Sequence, residues 1–277
     1  MEKYTLIGHP LGHSMSPFIH SKLFEASGID AEYSCTDIDP GSFSEDVVKL
    51  KEMRGYNITI PYKTQIIPFI DKLDSSAQRY NSVNCVFNDN NTSIGYNTDC
   101  DGFLKSVSDM GLSEKVLLFG CGGVGRMMAI EAALHGAQLT IAILPQVKKT
   151  ADILVEEILS CAPDCKVTLA DSSTVNDRYN LIINATPVGM YPNCNASPAS
   201  QELIQKCDAV FDAVYNPVQT QFVKTALSLG KKGRSGTAML VWQAVRAHEI
   251  WNGSHYSEEQ INSIIDQTNI IIEGDFR

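Results

Sequence analysis

The sequence is short of positive charge. Its 277 residues carry 22 Lys and Arg against 32 Asp and Glu, a formal net charge of −10. With a pI near 5.0, the chain lacks the basic surface by which nucleic acid or an anionic membrane would hold it, so neither is expected as a partner. It has no apolar run long enough to span a bilayer. Its first residues read as a strand, not as a charged-then-apolar leader. Paired C-x-x-C spacing is missing too. The eight cysteines (Cys35, Cys85, Cys100, Cys121, Cys161, Cys165, Cys194 and Cys207) are scattered. In a chain of this size they read as reduced thiols of a cytoplasmic protein, with no metal site expected. No internal repeat or low-complexity tract interrupts the chain. What is present is ordinary for a globular protein: 44% hydrophobic and 19% charged residues, at a length that favours two domains over one core.

The most informative stretch runs from Lys115 to Arg126. Val116-Leu117-Leu118-Phe119 reads as a buried strand that meets glycines at Gly120, Gly122 and Gly125. The amphipathic pattern from Arg126 to Leu134, closed by Gly136, reads as a helix. Between a strand and a helix, G-x-G-x-x-G describes a dinucleotide site. The first glycine makes the turn, the second admits the pyrophosphate, and the third lets the helix pack close, its N-terminal N–H groups facing the phosphates. A glycine-rich turn without a nucleotide is the plainer alternative.

Before this stretch, Tyr4–Gly8 reads as a strand, followed by a loop crowded with turn formers and small hydroxyls and a helix from Phe18 to Ala26, closed by Gly28. Pro17 suits its first turn. Ser14 and Ser16 stand where one of them can cap that helix, which local grounds favour. Alternate hydroxyls can also bind a polyhydroxylated or carboxylate ligand. Ala31–Asp37 predicts a second strand, Phe43–Met53 a helix, and Gly55–Lys63 a third strand running into Pro61. Lys63 falls just past that strand, where open α/β sheets place ligands, although a lysine there is usually solvated surface. Arg79–Phe87 predicts a strand, Asn88–Asn91 a hairpin turn and Thr92–Tyr96 the returning strand. Asp99 follows, either as the cap of a helix starting near Asp101 or as a functional carboxylate.

After Val116 the pattern becomes regular strand–helix alternation. Strands are expected at Gln138–Leu144, Lys166–Leu169, Tyr179–Thr186 and Ala209–Tyr215, with helices at Val147–Ser160 and Gln219–Leu229. Repeated units of this size imply a parallel, right-handed, doubly wound sheet. A strongly apolar helix from Ala238 to Trp251 and a last one from Glu258 to Ile265 close the chain.

Several separate motifs, in order, resemble one family: the shikimate dehydrogenases of aromatic amino-acid (chorismate) biosynthesis. The resemblance runs from Tyr4 to about Gly253. It rests on Gly12-His13-Ser14-Met15-Ser16-Pro17, Asn57-Ile58-Thr59-Ile60-Pro61-Tyr62-Lys63, Ser82-Val83-Asn84 and Asn97-Thr98-Asp99. The glycine loop, Asn184-Ala185-Thr186-Pro187-Val188-Gly189-Met190, Tyr215-Asn216-Pro217 and Met239-Leu240-Val241-Trp242-Gln243 complete it.

The resemblance implies an α/β fold: an N-terminal substrate domain (1–100 with 238–277) and a Rossmann-like, doubly wound cofactor domain (101–237), with the active site in the cleft between them. It implies reversible hydride transfer between NADP(H) and the shikimate/3-dehydroshikimate pair. Lys63 and Asp99 would be the catalytic pair. Ser14 and Ser16 would hold the substrate carboxylate. Thr59, Asn84, Asp99 and Gln243 would bond the ring hydroxyls, with Tyr215 nearby. The cofactor would lie on Gly120, Cys121, Gly122, Gly123, Val124 and Gly125, with Ala185, Thr186, Pro187, Val214, Gly236 and Met239. A lysine serves as acid and base near neutral pH only if burial or its neighbours weaken its hold on the proton.

The sequence departs from the family at two places. Where the family usually has Asn-Arg-Thr with a further arginine for the 2′-phosphate of NADP, this chain has Ile143-Leu144-Pro145, then Gln146-Val147-Lys148-Lys149. No acidic residue selects NAD there either. A lysine is a flexible point charge and does not replace a bidentate arginine. Ala238 stands where many relatives have glycine. NAD(H) is thus the alternative cofactor. A quinate-oxidising relative or a catalytically weak binding protein are the alternative functions, and a monomer or homodimer is expected.

Overall fold

The computed structural model describes the chain except for His13, Phe276 and Arg277, so His13 of the first motif lies outside the described residues. The chain divides into two compact units: Met1–Gly102 with Leu240–Thr268, and Phe103–Met239 with Asn269–Arg277.

The first unit begins with β1 (Glu2–Gly8), α1 (Ser16–Ser27) and β2 (Ala31–Asp37), then α2 (Phe43–Asp46), which tightens into a 3-10 stretch at Val47–Glu52. There follow β3 (Gly55–Ile58), β4 (Lys72–Leu73), α3 (Ser75–Tyr80), β5 (Cys85–Asp89), β6 (Thr92–Tyr96) and α4 (Asp99–Ser106), whose residues from Phe103 on belong to the second unit. The strands form one six-stranded sheet in the order β2-β1-β3-β5-β6-β4. β1 is parallel to β2 and β3, and β5 is antiparallel to both β3 and β6. The β5–β6 hairpin turns on Asn90 and Asn91 at φ 47° and 67°, the two positive φ values that a tight two-residue hairpin requires and that asparagine tolerates.

Three expectations fail in this unit, the first being the strand expected over Gly55–Lys63, which ends at Ile58 and gives way to a turn. Arg79 and Tyr80 are helical, and the strand predicted from Arg79 starts only at Cys85. Cap chemistry overrides the β-prone sequence here. Asp74 caps α3 by accepting from the Ser76 N–H at 2.9 Å, and Asn81 closes it at φ 47°. The helix predicted over Phe43–Met53 is α-helical only to Asp46.

The second unit holds β7 (Lys115–Phe119), α5 (Gly123–Leu134), β8 (Gln138–Ile143), α6 (Lys148–Cys161), β9 (Val167–Asp171) and β10 (Tyr179–Asn184). It continues through α7 (Gln201–Gln205), β11 (Cys207–Asp212), α8 (Gln221–Ser228) and β12 (Lys232–Arg234). Its six strands run β12-β11-β10-β7-β8-β9, and every pairing is parallel. This is the doubly wound order, and its switch point lies between β7 and β10, where such sheets bind nucleotides at the strands' carboxyl ends. Leu117, Phe119, Ile182, Val210 and Phe222 fill its core.

Two long helices, α9 (Gly236–Asn252) and α10 (Glu258–Asp275), end the chain. The apolar C-terminal half of α9 is covered by the first unit's sheet: Ala247 and Trp251 pack with Tyr4, Phe24 and Cys85. Trp251 Nε1 donates to the Val86 carbonyl at 2.9 Å. Gly55 is what makes room for it, since a Cβ there would lie 2.3 Å from Trp251 Nε1.

Candidate active site

The polar centre of the first unit is built where β3, β5 and β6 end. β3 stops at Ile58. The turn that follows returns to the sheet, where the Lys63 carbonyl accepts from the Val83 N–H at 2.8 Å. Asn84 precedes β5 in register beside β3, its carbonyl accepting from the Ile58 N–H at 2.9 Å. Asp99 opens α4, and Asn97 Oδ1 accepts its backbone N–H at 3.2 Å. Asp99 therefore begins the helix itself, and its carboxylate turns toward two side chains from distant segments. Lys63 Nζ donates to Asp99 Oδ2 at 2.6 Å and Asn84 Nδ2 to Asp99 Oδ1 at 2.9 Å. The Lys63 side chain is 27% exposed and that of Asp99 18%, which makes this a sheltered pair still open to a ligand. Gln243 of α9 joins through Thr98, whose hydroxyl lies 3.4 Å from Gln243 Oε1.

Ser14 and Ser16 meet differently from the expectation. The N-cap position of α1 falls on Met15, which makes no side-chain cap bond. Ser14 lies one residue earlier, and its Oγ accepts the Ser16 N–H at 3.2 Å, so it satisfies one orphan donor of the helix start from outside the cap position. Ser16 is buried, and burial pushes the nearby Tyr33 phenol well above its ordinary pKa. Tyr33 in turn donates to Asn57 Oδ1 at 2.8 Å. Thr59 is half-buried. Its methyl faces Gly8, where a Cβ would stand only 2.5 Å from it.

In the second unit the glycine loop has the geometry its sequence requires. Gly120 turns at φ 100°, and a Cβ there would meet Thr186 Cγ2 at 2.8 Å and the Ala185 carbonyl at 3.0 Å. The loops after β7 and β10 thus touch at the switch point, bringing Gly120 beside Ala185 and Thr186. A Cβ on Gly125 would lie 2.5 Å from the Gly120 carbonyl, so α5 packs against the turn as only glycine allows. By contrast, no atom of the described residues lies within 4 Å of a Cβ on Gly122 or Gly123. Gly122 is the N-cap of α5 and offers no side chain to its first N–H groups. Open space at an uncapped helix start fits a pyrophosphate. Cys121 is buried, which raises its thiol pKa, and Val124 is exposed.

The remaining cofactor candidates hang on a network that the sequence reading missed. Asn184 and Asp212 are register partners at the ends of β10 and β11, and Asn184 Nδ2 donates to Asp212 Oδ1 at 2.9 Å. Asn184 Oδ1 accepts from the Thr186 hydroxyl at 2.6 Å and Asp212 Oδ1 from the Val214 N–H at 3.0 Å. Thr220 donates to Asp212 Oδ2 at 2.6 Å. Burial pushes the Asp212 carboxyl up to about 6, with the Thr220, Val214 and Asn184 donors opposing. Two polar residues closing adjacent strands, each after three apolar residues (Leu181 to Ile183 and Ala209 to Phe211), were the available signal. Gly236 opens α9 and donates to the Val214 carbonyl at 3.1 Å. A Cβ there would strike the Ala213 carbonyl at 2.3 Å. Met239 is buried on the same helix. Pro187 follows in the β10 loop, and Tyr215 stands three residues past β11, its phenol pKa raised by burial.

The turn after β8 offers little to a phosphate. Leu144 and Val147 are exposed, and Lys148 bonds both oxygens of Asp152, at 2.8 and 3.0 Å. Arg126, on α5, is paired with Glu157.

Known proteins share this fold. The family model for the shikimate dehydrogenase substrate binding domain matches residues 6–86. The shikimate dehydrogenase (NADP(+)) of Streptococcus pneumoniae is 34% identical over 268 residues, 93% of this chain and 93% of the relative. Among solved structures, the chorismate mutase/shikimate 5-dehydrogenase fusion protein from Clostridium acetobutylicum superposes with a TM-score of 0.87 at 31% identity, over 99% of both chains. Shikimate 5-dehydrogenase from Thermus thermophilus, in complex with NADP(H) and shikimate, gives 0.85 at 28% identity, over 97% of this chain and 100% of that one. A third of the sequence identical along nearly the whole chain, on the same fold, is common descent: this chain belongs to the shikimate dehydrogenase family.

Proposed function

We propose that the chain catalyses the reversible NADP(H)-dependent reduction of 3-dehydroshikimate to shikimate, as a cytoplasmic enzyme whose eight cysteines stay reduced. The observation that carries the reading is the Lys63–Asp99–Asn84 cluster, an ammonium held at 2.6 Å from a carboxylate that a buried amide orients from its other oxygen. The first unit is the substrate-binding part and the second the cofactor-binding part. Ser14 and Ser16 take the substrate carboxylate, and Thr59, Asn84, Asp99 and Gln243 take the ring hydroxyls. Amide and hydroxyl groups at a polyol site discriminate sharply, because an analogue lacking a hydroxyl leaves one of them buried without a partner. Tyr215 completes the substrate set.

Residues 120–125 at the N-terminus of α5, with Ala185, Thr186, Pro187, Val214, Gly236 and Met239, would hold NADP, which would supply the hydride that the side chains cannot. Lys63 gives a proton to the substrate carbonyl oxygen in reduction and takes it back from the hydroxyl in oxidation. Asp99 keeps the Lys63 Nζ at that oxygen and binds the neighbouring hydroxyl.

A second reading concerns the cofactor alone. The β8–α6 turn presents exposed Leu144 and Val147 and a lysine already paired with Asp152, so the 2′-phosphate lacks an arginine fork and NAD(H) competes. Initial rates of shikimate oxidation, followed at the reduced-nicotinamide absorbance with NADP and NAD in parallel, test both readings. Turnover with NADP supports the main one. Turnover with NAD alone replaces the cofactor, and silence with both, and with quinate, removes the activity.

A further inference from the structure

Thr98 is fully buried one residue before Asp99, and it touches two amides from opposite ends of the chain. Its backbone N–H donates to Asn84 Oδ1 at 2.7 Å. Its hydroxyl accepts from Asn84 Nδ2 at 3.0 Å. The same hydroxyl has two oxygens in range of its proton, Asn84 Oδ1 at 3.2 Å and Gln243 Oε1 at 3.4 Å.

These contacts fix which way round each amide stands. On one side of Asn84 the Thr98 N–H requires an oxygen, and on the other the Asp99 carboxylate requires an N–H, at 2.9 Å. Gln243 is set in the same manner. Its Nε2 donates to the Leu240 carbonyl at 2.9 Å, which leaves Oε1 facing the Thr98 hydroxyl. A hydroxyl both accepts and donates, and the β-branch of threonine restricts χ1 so that it does so in one direction. Valine has the same shape and can do neither.

We infer that Thr98 is a positioning residue for the reaction: its backbone N–H sets the Asn84 amide, and its hydroxyl ties that amide to Gln243, so that both are held in place for the substrate's ring hydroxyls and, through Asn84, the Asp99 carboxylate is held opposite Lys63. The inference rests on the shikimate dehydrogenase activity proposed above. A residue serving only to pack the β6–α4 junction would lose nothing specific to substrate on exchange of its hydroxyl for a methyl group.

The test is steady-state kinetics of wild type, Thr98→Val and Thr98→Ser with shikimate and NADP. Loss of the hydroxyl's buried hydrogen bonds in Thr98→Val is expected to lower kcat/KM for shikimate by about ten- to a hundredfold. Both KM for shikimate and kcat contribute, while KM for NADP stays as in wild type. Thr98→Ser restores kcat/KM to within about threefold, since it keeps the hydroxyl. In a Gln243→Ala background the effect of Thr98→Val shrinks, because the two residues share a bond. If Thr98→Val does not accumulate folded, Thr98→Ala carries the same expectation. Wild-type kcat/KM in the valine or alanine variant overturns the inference, as does equal loss in valine and serine. A wild-type enzyme silent with shikimate overturns the activity, and the inference with it.

Discussion

Lys63 and Asp99 meet at 2.6 Å across a separation of 36 residues, and neither residue type is distinctive on its own. A lysine past a strand end is ordinarily solvated, and an aspartate at a helix start is ordinarily a cap. Their pairing is made by the antiparallel return of β5 and β6 beside β3, a register that local sequence does not encode. The family motifs carried the assignment of these residues, and spacing did not. For the same reason Thr98 went unnoticed inside Asn97-Thr98-Asp99. If Lys63 exchanges the proton, Lys63→Ala lowers kcat by at least about a hundredfold, the usual contribution of a positioned acid–base group. Substrate affinity, followed by the change in protein fluorescence on adding shikimate, falls much less. Unchanged kcat in that variant ends the proposed mechanism.

At the scale of the element, the glycines of the β7–α5 turn separate structure from function. Gly122 and Gly125 are equally prominent in the sequence, yet among the described residues a Cβ meets nothing within 4 Å at the first and the Gly120 carbonyl at 2.5 Å at the second. Gly122→Asp is therefore expected to fold normally and to weaken NADP binding at least about tenfold, since the new carboxylate takes the place of the phosphates and repels them. Gly125→Ala is expected to lower the unfolding free energy by about 1–3 kcal/mol, because backbone has to move. Thermal melts and cofactor titrations of the two variants check this opposition. Equal melting points, or equal cofactor affinity, would sink it. The strand–glycine–helix pattern was legible because it is local. The caps that make α3 a helix are also written in the sequence, at Asp74 and Asn81, but the run Arg79–Phe87 reads as a strand across them. The two-residue β4 and three-residue β12 exist only through their neighbours, and no local pattern announces strands so short.

Across the whole molecule, the two units carry buried titratable groups that respond to acid in opposite senses. In the first unit His20 and His248 are fully buried. His20 Nδ1 lies 3.0 Å from His248 Nε2, and His248 Nδ1 2.8 Å from the Tyr256 hydroxyl. Burial drives His248 down to about 3 and His20 well below its ordinary value. Between the folded value and the ordinary 6.5 of the unfolded chain, the unfolded state binds more protons than the folded one. Stability therefore rises with pH over this window and is lost on acidification, by up to about 1.4 kcal/mol per pH unit for each proton. In the second unit Asp212 is raised to about 6 from 3.8. There the folded state binds the extra proton, and stability is lost as pH rises through about 6. Lowering the pH from about 7 to about 5 is thus expected to lower hydrogen-exchange protection, taken relative to the intrinsic rate at each pH, in α1 and the C-terminal half of α9 while raising it around β10 and β11. Asp212→Asn should abolish the second response and leave the first, since an amide keeps an oxygen for Val214 and Asn184 and turns an N–H toward Thr220 with no charge to bury. Exchange measured by mass spectrometry on wild type and variant reads both units at once. A uniform response to acid in the wild type, or a β10–β11 response that survives Asp212→Asn, would show that these groups do not govern the acid behaviour of their units.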